Sequence, residues 1–189
     1  MRKARLIVFS APSGSGKTTI VREILSCYKN FVFSISATTR KKRQTEKDGI
    51  DYFFLSEEDF KKKIDAGEFV EWEKFYDYYY GTLRSVVDGN LKQGLTTVFE
   101  VDVKGAVRIK KVYPDSILIF IAPPSIDELK KRLIKRNTET DGDLKKRIER
   151  AEMELSYKDK FDYVVSNINL EKAKKEVKEI IEKEISKEE

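Results

Sequence analysis

The chain has 189 residues, 38% of them charged, with a formal net charge of +5, one cysteine and no histidine. That length suits one compact domain carrying small insertions. A single cysteine excludes a disulfide framework, and the lack of histidine excludes imidazole acid–base chemistry and histidine-ligated metal.

The first apolar run, Leu6-Ile7-Val8-Phe9, predicts a buried strand over about 5–9. Thr19-Ile20-Val21-Arg22-Glu23-Ile24-Leu25 follows with helical apolar spacing. Between them stands Ala11-Pro12-Ser13-Gly14-Ser15-Gly16-Lys17-Thr18. Strand, glycine-bearing loop, Gly-Lys-Thr and helix form the layout of a phosphate-binding P-loop. Backbone N–H groups at a helix N-terminus surround an anion without a side chain, and Gly14 and Gly16 let the backbone come close to phosphate oxygens. Lys17 supplies a mobile positive charge for β/γ-phosphates, and the Thr18 hydroxyl can ligate Mg²⁺. Ala11 stands where the strict pattern has a first glycine. Cys27, near the end of this helix, is expected to pack in the core.

Further strands are expected at about 32–35, 97–101, 116–122 and 162–166, with helical patterns between most of them. This alternation predicts an α/β fold, a parallel sheet with helices on both faces. More than sixty residues separate the second strand from the next, too many for a simple crossover, so 36–91 must hold an insertion. Within it, 51–55 reads as a strand, Ser56 as an N-cap for a helix over 57–66, and Gly67 as its stop. Glu68–Tyr76 alternates polar and apolar residues, as a half-buried strand does. After Pro123-Pro124, Ser125 caps a helix bearing Leu129 and Leu133, a polar turn spans 136–142, and a charged helix runs over about 143–159. The last helix, about 170–187, puts Leu170, Ala173, Val177, Ile180, Ile181 and Ile185 on one face. No apolar run approaches a membrane span, and the one after the basic residues 1–5 is too short for a signal peptide, so a cytoplasmic location is expected.

Chemistry collects in four further places. Arg132 with Arg136, and Arg147 with Arg150, place two arginine faces on either side of the polar turn, which could close over a phosphate chain as a lid. The bland reading is a solvated hairpin with these arginines paired to Glu139, Glu149 and Glu152. Arg40 and Arg43 follow the second strand, where loops at strand carboxyl ends form a ligand crevice, and could hold a second phosphate. Glu71, between Val70 and Trp72, could accept two N–H bonds from a guanine edge; a salt bridge to Lys74 or Arg84 is the competing reading. Aromatic residues at Tyr76, Tyr78 and Tyr79 read as packing, and a tyrosine beside Gly81 can donate to phosphate.

Together these runs resemble the guanylate kinases over nearly the whole chain. The resemblance rests on the loop 10–18, on Ser34-Ile35-Ser36-Ala37-Thr38-Thr39-Arg40 with Arg43, and on Gly49-Ile50-Asp51-Tyr52. Phe69-Val70-Glu71-Trp72, Tyr79-Tyr80-Gly81-Thr82, Glu100-Val101-Asp102-Val103-Lys104-Gly105-Ala106, Ile121-Ala122-Pro123-Pro124-Ser125 and the lid run continue it. Alanine at Ala11 is an accepted variant of that family. Asn167-Ile168-Asn169 stands where the family commonly shows Asn-Asp-Asp.

The resemblance implies a P-loop NTPase fold with an inserted GMP-binding subdomain and a helical lid. It implies transfer of the γ-phosphate of ATP to GMP, with Mg²⁺ as cofactor and dGMP as a further acceptor. The core would comprise 1–35, 92–125 and 160–189, the insertion 36–91 and the lid 126–159, its mobile part about 136–147. Loop 11–18 with Thr19, Arg132 and Arg136 would bind ATP. Ser36, Glu71 and Thr82 would read guanine, with Asp102 close by, while Arg40, Arg43, Tyr52 and Tyr80 would hold the GMP phosphate. Glu100 would organise Mg²⁺ or GMP, and Lys17, Arg40, Arg43, Arg136 and Arg147 would carry catalysis. Other readings are a P-loop kinase for another phosphorylated acceptor, from which Ser36 and Glu71 argue away, and a catalytically silent protein-binding module, from which Lys17 and the arginines argue away. No basic stripe with interleaved aromatics marks a nucleic-acid binder.

Overall fold

The computed structural model describes residues 4–75, 77–135 and 141–186. In chain order the elements are β1 (Leu6–Ser10), α1 (Lys17–Cys27), β2 (Phe31–Phe33), β3 (Ala37–Thr38), β4 (Phe53–Phe54), α2 (Glu57–Asp65), β5 (Phe69–Phe75) and β6 (Tyr78–Leu83). They continue with α3 (Arg84–Lys92), β7 (Thr96–Glu100), α4 (Val103–Val112), β8 (Ile117–Ala122), α5 (Ile126–Lys135), α6 (Asp141–Leu155), a 3-10 turn (Lys158–Lys160), β9 (Tyr163–Ser166) and α7 (Leu170–Ser186).

A continuous apolar run suits a strand covered on both faces, and β1 is buried along its whole length. It is the central strand of a parallel sheet ordered β2-β7-β1-β8-β9. Val8 lies opposite Phe99 on one side and Leu118 on the other. Ile7 and Phe9 point into one core layer with Ile20 and Ile24 of α1 and Val177 and Ile181 of α7. Val8 points the other way, into a layer with Val87 of α3 and Val103 and Ile109 of α4. The strands expected from the sequence are the strands of this sheet, with small shifts at their ends. One expectation fails: Cys27 is exposed. The inward stripe of α1 is Ile20, Val21 and Ile24, and the next turn brings Tyr28, not Cys27, inward to stack on Phe31 at 4.5 Å.

The interval 36–91 builds a second sheet, ordered β4-β3-β6-β5, with a small core of its own. Phe60 of α2 is fully buried there and stacks on Phe69 at 4.3 Å. The Ser56 hydroxyl caps α2 by accepting from the Asp59 N–H at 3.0 Å, and Gly67 ends it with φ +67. The strand expected over 51–55 shrinks to Phe53–Phe54, because the Asp51 carboxylate accepts from the Lys47 N–H at 2.7 Å and closes a turn before it. Helix α3, although inside this interval, packs Val87 into the main core, and Val70 of β5 joins the same layer.

The alternation expected along β5 breaks at its start. A register shift between Phe69 and Glu71 leaves Phe69, Val70 and Glu71 all buried, as a bulge allows. Arg108 of α4 donates to the Trp72 carbonyl and seats β5 against that helix. Beyond β8, Ser125 caps α5 by accepting from the Glu128 N–H at 3.1 Å. Leu129 of α5 and Ala151 of α6 bury against each other. Helix α6 stops at Leu155 rather than near 159, where a turn and the 3-10 segment take over.

Candidate active site

Loop 11–16 leaves β1 at the middle of the sheet and enters α1, at the strand carboxyl ends where open parallel sheets hold ligands. Gly14 and Gly16 have φ of 91° and 88°, backbone that a side chain resists. Ala11 needs no such freedom and is buried in the core beside β1. A Cβ on Gly16 would lie 2.4 Å from Asn167 Nδ2. That amide donates to the Ser15 carbonyl at 2.7 Å, bracing the loop from the end of β9. Helix α1 has neither a side-chain N-cap nor an acidic residue in its first turn, so its positive end is left for an anion.

Lys17 reaches across to β7: its Nζ donates to the Val101 carbonyl at 3.3 Å and lies 4.0 Å from the Glu100 carboxylate. Burial lowers the Lys17 pKa, with the Glu100 charge working against the shift. The Thr18 hydroxyl donates to Glu100 Oε1 at 2.5 Å, pairing two hard oxygen donors at the loop's mouth. A cleft of about 710 Å³ opens over these groups, lined by 11–19, Ser36, Tyr52, Glu100, Asp102 and Arg147 among others.

Beside Tyr52, which lines the cleft while Arg40, Arg43 and Tyr80 do not, the Arg40 guanidinium grips Glu46 with both arms, at 3.0 and 2.7 Å, and sits 5.4 Å from the Tyr52 ring. Tyr52 meets Tyr80 edge-on at 6.2 Å. The Arg43 side chain is exposed while its backbone N–H donates to Glu46 at 2.8 Å. Glu71 is 8% exposed and accepts from the buried Thr82 hydroxyl at 2.7 Å. Burial pushes its pKa up to about 7, the Thr82 bond opposing. Neither Lys74, which lies over the Tyr79 ring, nor Arg84, which interacts with Tyr113, serves as its hydrogen-bond partner. Gly105 makes room for Glu71: a Cβ there would come within 3.0 Å of Glu71 Oε2.

Asp102 caps α4 by accepting from the Gly105 N–H at 2.7 Å. Burial pushes the Asp102 pKa up, but hydrogen bonds from Glu73 and Gly105 and the charges of Arg150 and Arg108 outweigh it and hold the group below its usual value. Glu73 moves the other way, up to about 7, through that hydrogen bond and burial.

Of the arginines expected in a lid, Arg147 lines the cleft, whereas Arg132 pairs with Glu128 and donates to the Asn167 carbonyl, each at 3.3 Å. Arg136 lies outside the described residues, as do Tyr76 and Glu139. Asn167 and Asn169 serve structure, the second accepting from the Lys172 N–H at 3.0 Å at the start of α7, while Ile168 between them is exposed. Sequence reasoning missed Glu46 and Glu154, the partners of Arg40 and Arg150, and named Asn167 without its brace on Ser15. For Glu154 the signal was there: it stands one helical turn after Arg150.

A parallel sheet with an uncapped glycine loop at its centre, joined by a small mixed sheet and two arginine-bearing helices, defines a P-loop NTPase fold with an insertion. A family model described as "Guanylate kinase" matches residues 3–184. The chain is 46% identical to a guanylate kinase of Thermotoga maritima over 98% of this chain and 89% of that protein. It is 49% identical to one of Chlorobium luteolum, over 91% and 88%. The crystal structure of guanylate kinase from Anaplasma phagocytophilum superposes with a TM-score of 0.76 at 28% identity, covering all of this chain and 89% of that one. The chain therefore belongs to the guanylate kinase family.

Proposed function

We propose that this protein transfers the γ-phosphate of ATP to GMP, giving ADP and GDP, and works in the cytoplasm with dGMP as a further acceptor. The observation that carries the reading is one cleft lined by an uncapped P-loop together with Ser36, Tyr52 and Asp102, with the buried Glu71–Thr82 pair next to Asp102 at Gly105. Loop 11–19 holds the triphosphate by its N–H groups, with Lys17 on the β/γ-phosphates. Arg132 and Arg136 steady ATP from the lid. Ser36, Glu71 and Thr82 read the guanine edge beside Asp102; Arg40, Arg43, Tyr52 and Tyr80 take the GMP phosphate.

Two phosphates repel each other, so the protein's main task is to place them in line and neutralise their charge. Lys17, Arg40, Arg43, Arg136 and Arg147 do this, and transfer between phosphates needs no histidine. The Thr18 hydroxyl beside the Glu100 carboxylate fits Mg²⁺, which prefers oxygen donors and keeps much of its shell as phosphate and water. Among the described residues no group of three or more acidic, cysteine or histidine side chains could cage a metal by itself. When bound, Mg²⁺ would supply charge neutralisation for the phosphate being transferred. We propose as well that 36–91 acts as the GMP-binding unit, 126–159 as the lid with its mobile part at about 136–147, and 1–35, 92–125 and 160–189 as the core.

The test is product formation from ATP with GMP, AMP, CMP or UMP as acceptor. Turnover confined to GMP is expected. Comparable turnover with AMP refutes the guanine reading, and none with any acceptor favours a binding module.

A further inference from the structure

The helix α6 carries a second arginine, Arg150, one turn beyond Arg147. Its contacts reach three separate parts of the molecule. Its guanidinium lies 4.4 Å over the ring of Phe75, at the end of β5 in the small sheet. It stands 3.7 Å from Asp102, which is itself fixed as the N-cap of α4. On its own helix it donates to Glu154 at 3.1 Å, a carboxylate only 5% exposed. Phe75, Asp102, Arg147, Arg150 and Glu154 all line the one cleft.

We infer that Arg150 is a positioning residue for phosphoryl transfer: it fastens the lid helix to the acceptor side of the cleft and so holds Arg147 over the reacting phosphates. Its planar face and fork of N–H donors suit a stack on Phe75 combined with two carboxylates, Asp102 and Glu154. Lysine could keep an ion pair but not the stack. Because α6 is rigid between residues three apart, anchoring Arg150 fixes the direction in which Arg147 leaves the helix. A displacement of about 1 Å in a group of this kind can cost as much as a hundredfold in rate.

The inference rests on the reading of Arg147 as a lid arginine, and its test separates the two. Arg147→Ala, Arg150→Gln, Arg150→Lys and the double variant Arg147→Ala/Arg150→Gln are assayed for kcat and both KM values, with thermal melts beside them. Arg147→Ala is expected to lose activity. Arg150→Gln is expected to lower kcat on the order of tenfold while KM for ATP changes less than about twofold, with Arg150→Lys between it and the wild type. In the Arg147→Ala background, Arg150→Gln should cost little more, since the residue it positions is gone. A full extra loss in that background overturns the inference, as does an unchanged kcat in Arg150→Gln. Full activity of Arg147→Ala overturns the lid reading instead. Should Arg150→Gln melt below the assay temperature, Arg150→Lys decides: wild-type kcat in it overturns the role given to the Phe75 stack.

Discussion

Replacing Glu71 by Gln keeps the side chain's shape and removes its charge. Burial holds the Glu71 pKa up to about 7, so near neutral pH about half of the free enzyme carries it protonated. A guanine edge offers two N–H donors to this carboxylate, and each charge-assisted bond contributes about 1.5–3 kcal/mol. Glutamine keeps one acceptor and turns an NH₂ toward the second N–H, so at least one bond is lost and a donor faces a donor. The expected loss is about 3 kcal/mol, on the order of a hundredfold in KM for GMP. KM for ATP, whose phosphates the proposal gives to the loop, should change less than about twofold.

Direct measurement of ADP and GDP across a pH series checks this and adds a second arm. In the proposed role guanine binds the ionised carboxylate, so wild-type KM for GMP should rise toward about tenfold per pH unit on acidification below the Glu71 pKa. The Glu71→Gln enzyme should keep only the shallower dependence set by the GMP phosphate, whose second pKa is about 6. Stability runs the opposite way. A carboxyl whose folded pKa is raised contributes stability that is present below its unfolded value and lost as pH rises through about 7. Glu71→Gln should therefore gain on the wild type in thermal melts as pH goes from about 5 to about 8, by up to about 3 kcal/mol. Equal changes in both KM values, or a wild-type KM for GMP that ignores pH, would refute the argument.

Lys17→Ala should lower turnover on the order of a thousandfold with a nearly unchanged melting temperature, because Lys17 acts on developing phosphate charge rather than in the core; near-normal steady-state activity would sink its assignment. Gly16→Ala places a Cβ against Asn167 Nδ2 at a φ of +88, so it should destabilise by about 2 kcal/mol and raise KM for ATP more than for GMP, read from urea midpoints and initial rates. Phe60→Ala empties the centre of the small sheet's core and should cost about 3–5 kcal/mol in the same urea titration.

Much of this molecule is legible in local pattern. The run at Leu6–Phe9, the glycines of the loop and the helix start at Lys17 are set by neighbours in the chain, so the P-loop could be read directly from residue order. The caps at Ser56 and Ser125 and the stop at Gly67 follow the same logic, since each acts within a few residues of itself. Period was a poorer guide where backbone departs from regularity. The bulge at the start of β5 buries Glu71 on grounds that alternation cannot express, and the helical phase that turns Cys27 outward became clear only once Tyr28 had found Phe31.

The sequence by itself determined the central sheet, the phosphate loop and the existence of an insertion, because strand burial, helix phase and turn chemistry are properties of short segments. Only the tertiary structure decided which polar groups meet. Asn167 braces Ser15 across 152 residues of chain, and Arg150 joins Phe75 and Asp102 from a helix that neither adjoins in sequence. Such pairs depend on how far one element is shifted and rotated against another. That placement is settled by packing of the whole core, and no single segment contains it.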